Sequence, residues 1–76
     1  MRQIMENIPD EVLEKIREVV EAGDYEYADN YRAYRISDGF GLAQFDDAES
    51  HGCCGSHSEE VTVNGEQWMI GFNYGH

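Results

Sequence analysis

Seventy-six residues carry sixteen Asp and Glu against five Lys and Arg, a net charge of −11, with 41% apolar residues and nine aromatic ones. That length holds one domain, residues 1–76, which buries only ~60% of its unfolded surface. The charge argues against direct nucleic-acid binding and against anionic membranes. The aromatic content argues against disorder, and no segment approaches the ~20 apolar residues of a membrane span.

The opening "MRQIMENIPD" has one Arg and no continuous apolar run, so no secretory leader is expected and the cytoplasm is the expected compartment. Thiols stay reduced there. The two cysteines, Cys53 and Cys54, are adjacent. A disulfide between them closes too small a loop to constrain the unfolded chain.

The first element is a helix over residues 8 to 22. Asn7 is its expected N-cap with Asp10 in capping-box position, Pro9 lies in the first turn, and Gly23 is the expected C′ residue. Ile8, Val12, Leu13, Ile16, Val19 and Val20 recur at helical spacing and form one apolar face. Glu11, Glu14, Glu18 and Glu21 follow the spacing 3, 4, 3 and form a carboxylate stripe, partly offset by Lys15 and Arg17.

"GDYEYADNYRAYRIS" is ambiguous. Tyr27, Tyr31 and Tyr34 fit a helical period, but the Tyr-rich composition and the alternation Arg32/Tyr34/Ile36 favour a strand over 31–36. A turn or bulge at Asp29–Asn30 precedes it. "RISDGFGLAQF" reads as a hairpin with a Ser37-Asp38-Gly39 loop, pairing Ile36 with Phe40, Tyr34 with Leu42, Ala33 with Ala43 and Tyr31 with Phe45. A second hairpin, "EVTVNGEQWMIGFNY", turns at Asn64-Gly65 and sets Val63 opposite Glu66 and Val61 opposite Trp68. Val61, Val63, Trp68, Ile70 and Phe72 then share the face that the helix covers.

The expected fold is α+β: one N-terminal helix packed on an antiparallel sheet of about four strands in two hairpins. "DDAESHGCCGSHSEE" between the hairpins is acidic and rich in Gly and Ser, and reads as a long loop.

That loop holds "HGCCGSH". Cys54 and His57 have the local spacing of a zinc-ligand pair, and His51 and Cys53 extend the set. Four ligands within seven residues crowd a single tetrahedral ion, and Asp46, Asp47, Glu49 or His76 offers an alternative fourth ligand. A thiol nucleophile is the other chemical reading, with His51 or His57 as base and Glu49 or Glu59 orienting it. The surrounding carboxylates raise a thiol's pKa, and so small a domain has little concavity. A contact loop without catalysis or metal is the third reading. Exposed tyrosines would serve as interface anchors.

In size and charge the chain resembles the small acidic inhibitors that phages encode against host defences, the anti-CRISPR and anti-restriction proteins. That likeness covers no specific residues and assigns no site. It implies a partner with a basic groove built for nucleic acid. A rigid polyanion displaces counterions from such a groove as nucleic acid does. The expected function is therefore non-enzymatic: occupation of a basic protein surface through Glu11, Glu14, Glu18, Glu21, Asp46, Asp47, Glu49, Glu59 and Glu60, with no cofactor. The alternative is a zinc module holding its metal through His51, Cys53, Cys54 and His57.

Overall fold

The structure is a computed structural model and describes residues 8–50 and 55–75. The order of elements is α1 (Asp10–Ala22), β1 (Asp29–Arg35), α2 (Leu42–Ser50), β2 (Gly55–Val63) and β3 (Glu66–Tyr74). The three strands form one antiparallel sheet in the order β1-β3-β2. The architecture is α+β, with three strands and a second helix where four strands were expected.

Helix α1 forms where its apolar period runs. Val12 and Ile16 are buried, and Leu13, Val19 and Val20 pack beside them. Its start is set by Pro9, whose carbonyl accepts the N–H groups of Val12 (3.0 Å) and Leu13 (3.1 Å), with no side-chain cap. The expected cap, Asn7, lies outside the described residues. The helix ends in a Schellman motif one residue later than expected. Gly23 is still right-handed (φ −91°), and Asp24 takes the left-handed place (φ 56°). The N–H of Asp24 donates to the Glu21 carbonyl (3.2 Å) and that of Tyr25 to the Val20 carbonyl (3.1 Å). Tyr25 is thereby folded back over the helix end.

The β2–β3 hairpin follows the expected register: Val63 faces Glu66 and Val61 faces Trp68. Asn64 (φ 51°) and Gly65 (φ 80°) both take the left-handed backbone that a type I′ turn needs. Trp68, Ile70 and Phe72 point to one side of β3 and are 2%, 0% and 0% exposed. Together with Val63, Ala33, Ile8, Val12 and Ile16 they make the core between the sheet and α1.

The first hairpin does not form. β1 pairs instead with β3, setting Ala33 against Ile70, Tyr34 against Met69 and Arg35 against Trp68. The Asp38-Gly39 turn is present. Gly39 is left-handed (φ 76°), Arg35 accepts the Gly39 N–H (2.8 Å), and Phe40 accepts the Arg35 N–H (2.9 Å). Gly41 then takes φ 90° so close to β1 that a Cβ there would lie 3.0 Å from the Ala33 carbonyl oxygen. Only glycine meets both demands. It turns the chain out of extended pairing and into α2, so Tyr34 has no Leu42 partner, Ala33 no Ala43, and Tyr31 no Phe45.

The bulge expected near Asp29–Asn30 lies inside β1, between Asp29 and Arg32, with Asn30 left-handed (φ 55°). The expected long loop is also replaced. Asp46–Ser50 belong to α2, Gly55–Glu60 belong to β2, and residues 51–54 lie outside the described residues.

Helix α2 covers the sheet face opposite α1. Phe45 is its one buried side chain among the described residues. Its ring meets Tyr34 edge-on at 5.0 Å and lies over Gly71, where a Cβ would come within 3.2 Å of it. The Asn30 side-chain amide donates to the Ala48 carbonyl (2.8 Å) near the end of α2. Beneath Phe45 lies Arg32, 1% exposed, whose Nη1 donates to Asn30 O (3.1 Å) and Asn73 Oδ1 (2.9 Å). Its Nε has no hydrogen-bond partner among the described residues. Burial pulls the Arg32 guanidinium below its ordinary pKa, and Glu49 partly restores it.

Arg35 ties the β1–α2 turn to β3. It holds Asp38 by two hydrogen bonds (3.0 and 2.8 Å), approaches Glu66 at 3.5 Å, and lies over the rings of Phe40 (5.2 Å) and Trp68 (5.7 Å). The Arg35 hydrogen bond, with the Phe40 N–H, lowers the Asp38 carboxyl from 3.8 to about 2. A depressed carboxyl stabilises the fold above its unfolded pKa and loses that contribution as pH falls through its folded one. The Asp38 contribution should therefore be whole above about pH 4 and fade toward about pH 2. Melting curves of the wild type and Asp38→Asn should differ at neutral pH and converge at about pH 2; a gap that stays constant down to that pH would show that the pair is not formed.

Candidate functional site

The C-terminal end of α1 and the first half of β2 enclose a shallow cleft of about 290 Å³, lined by Val19, Ala22, Gly23, Tyr25, His57 and Glu59. Local structure places each wall. The Schellman turn folds Tyr25 back, and a Cβ on Gly23 would collide with its ring. Strand alternation puts His57 and Glu59 on the α1 side of β2, in line with Val61 and Val63. The His57 ring sits 5.4 Å from Tyr25 and 5.6 Å from Phe72, and Tyr25 in turn meets Phe72 (5.0 Å) and Tyr74 (4.8 Å). His57 Nε2 lies 2.9 Å from Glu59 Oε1. The cleft thus has an aromatic and aliphatic floor with an imidazole–carboxylate pair at its edge.

Around it the surface is acidic. Glu11, Glu14, Glu18 and Glu21 are all exposed on α1, as the helical spacing requires. Lys15 pairs with Glu18 (3.3 Å) and Arg17 with Glu14 (3.1 Å). Exposed pairs of this kind contribute ~0–1 kcal/mol, so they neutralise locally without stiffening the helix. Of the four described cations, these two and Arg35 are in ion pairs, and Arg32 is buried. No exposed cation is left unpaired among the described residues, while Glu11, Glu21 and Glu60 face solvent.

The nine expected contact residues do not share one surface. Asp46, Asp47 and Glu49 are exposed on α2, across the sheet from α1. Glu59 stands on the α1 side of β2 and Glu60 on the other. The arrangement brings Glu59 to the cleft at the C-terminal end of α1, with Val19 and Ala22, and leaves the α2 carboxylates apart.

Of the expected metal ligands, His51, Cys53 and Cys54 lie outside the described residues, and His57 is engaged with Glu59 and the aromatic rings. Among the described residues no group of three His, Cys, Asp or Glu gathers to hold a metal ion. No described helix is long and apolar enough to cross a membrane.

Sequence reasoning did not single out Tyr25 as a cleft wall. The available signal was its place two residues after Gly23, where a Schellman motif brings a hydrophobic residue back onto the helix. Exposed tyrosines were expected as interface anchors with no residue named; among the described residues the exposed tyrosine is Tyr27, at 76%. Comparison with protein-family models, with curated proteins and with solved structures finds no match to this chain.

Proposed function

We propose that the chain is a non-enzymatic binding protein that occupies a basic protein surface, and that it inhibits by filling a groove otherwise held by nucleic acid. The observation that carries this reading is the charge left over on the outside. The chain bears −11, and among the described residues every exposed cation is already paired. The surplus carboxylates on α1 and at Glu59 stand on regular structure, so little conformational entropy is lost when they meet a cationic partner. Glu11, Glu14, Glu18 and Glu21 rise ~4.5–6 Å apart along the helix axis, a repeated array of anionic oxygens.

The test is displacement of a labelled DNA duplex from a purified DNA-binding domain with a basic groove, read by fluorescence anisotropy at several salt concentrations. Displacement should weaken steeply with salt, because the attraction is screened over ~10 Å at 0.1 M and far less at higher ionic strength. Changing Glu11, Glu14, Glu18 and Glu21 together to Gln should weaken it at least about tenfold, or ~1.4 kcal/mol. Displacement that is unchanged up to ~0.5 M salt overturns the electrostatic reading.

A further inference from the structure

The two edges of the sheet are built differently. β1 carries a bulge, and the 39–41 turn folds against it, with the Phe40 carbonyl taking the Arg35 N–H. β2 has neither. Its register with β3 runs unbroken over nine pairs, from Gly55–Tyr74 to Val63–Glu66, and no described segment lies beyond it. The pair that flanks a two-residue turn exchanges both ladder bonds, so Val63, Val61, Glu59 and His57 bond inward to β3. The N–H and C=O groups of Ser56, Ser58, Glu60 and Thr62 therefore point outward, and all four residues are exposed. Edge strands are commonly blunted by Pro, charged side chains or a bulge. "GSHSEEVTV" has no Pro and no bulge, and its charges, Glu59 and Glu60, are both negative, so they turn away an acidic strand and not a basic one.

From these features, and resting on the basic-partner reading above, we infer that the β2 edge receives an extended, basic segment of the partner protein as a fourth, added strand. Backbone bonding supplies the geometry, and charge selects the occupant. A second copy of the chain is disfavoured: the fullest antiparallel overlap of β2 with itself sets Glu59 against its own image and joins two chains of −11. A strand with Lys or Arg at two successive positions meets Glu59 on one face and Glu60 on the other. On the α1 side its aliphatic stems reach the cleft walled by Tyr25, Val19 and His57, with the charged head beside Glu59. The mode is strand addition, in which main-chain bonds give affinity and alternate side chains give specificity.

The test uses a capped decapeptide repeating Lys-Lys-Val-Val as the probe, which presents Lys on both faces of a strand, with affinity read by isothermal titration at low salt. Glu60→Pro removes an outward N–H that β3 does not use and places a ring in the path of the added strand. Glu60→Gln removes only the charge. Affinity should fall at least about tenfold for Glu60→Pro and about threefold for Glu60→Gln, the loss typical of one exposed charge pair. Amide hydrogen exchange on the wild-type chain, which needs no variant to fold, should show new protection at Ser56, Ser58, Glu60 and Thr62 on adding the peptide. Binding that Glu60→Pro leaves unchanged, with no new protection at those amides, overturns strand addition and leaves the acidic-surface reading standing. If the peptide fails to bind at low salt, and polylysine fails as well, the acidic-surface reading falls with it. Sedimentation that shows a dimer, with those four amides already protected before peptide is added, would identify the occupant as a second copy and overturn the basic one.

Discussion

Phe72→Ala should remove about 3–5 kcal/mol of stability, the range for truncating a buried Phe. Phe72 is fully buried and central to the aromatic layer, with rings of Tyr25 at 5.0 Å, His57 at 5.6 Å, and Tyr31 and Tyr74 at 6.4 Å. Alanine leaves a void that four rings anchored on different elements cannot collapse to fill. A chain of this length holds ~4–11 kcal/mol in total, so the variant should populate the unfolded state visibly at room temperature. Phe72→Leu keeps most of the volume and should lose less than about 1.5 kcal/mol. Urea unfolding followed by the fluorescence of Trp68, the single tryptophan, measures both. Trp68 is 2% exposed, so its emission reports directly on core exposure. A Phe72→Ala loss under about 1 kcal/mol would show that this layer is not packed as described.

Arg32 is the second position of large effect, and its two variants separate packing from charge. Arg32→Ala should lose about 3 kcal/mol. It empties the space beneath Phe45, removes the donor to Asn73 Oδ1, and removes the guanidinium stacked on the Phe45 ring of α2. Arg32→Met should lose less, about 1–2 kcal/mol: it too leaves Asn73 Oδ1 without its donor, but it keeps the bulk and removes a desolvated guanidinium that, among the described residues, has an unpartnered Nε and no carboxylate hydrogen-bonded to it. Equal losses for the two would mean that the hydrogen bonds and charge matter more than the volume. The same urea titrations decide it, and far-UV dichroism at intermediate urea should show α2 lost before the rest in the alanine variant.

These two residues also mark where sequence reasoning succeeds and where it stops. Phe72 was placed correctly because it sits on a strand whose alternation and turn chemistry are local. The burial of Arg32 was not read, because the alternation Arg32/Tyr34/Ile36 marks a strand without saying what covers that face. Arg32 is buried only because a helix from further along the chain lies over it. The candidate cleft divides in the same way. The carboxylate stripe of α1 was legible from the 3, 4, 3 spacing. The cleft beside it was not, since it needs the end of α1 and the start of β2 to be adjacent. His57 was noticed for its spacing from Cys54, with Glu59 offered as a carboxylate to orient it; the Glu59 pair is present, whereas the ring partners Tyr25 and Phe72 were not read.

By itself the sequence determined α1 and the β2–β3 hairpin. In both, the deciding information is a period or a turn confined to about fifteen contiguous residues, and local geometry turns it directly into structure. Tertiary structure decided the partner of β1, the identity of Leu42–Ser50 and the burial of Arg32. Alternating residues in β1 pair as well with the segment after Asp38 as with β3, and strand propensity cannot choose between them. The choice falls to β3 because Trp68, Ile70 and Phe72 offer a face that α1 can seal. α2 keeps a single buried anchor, Phe45, too little to leave a helical period in the sequence. It becomes a helix because Gly41 turns the chain over β1 and the second face of the sheet requires cover.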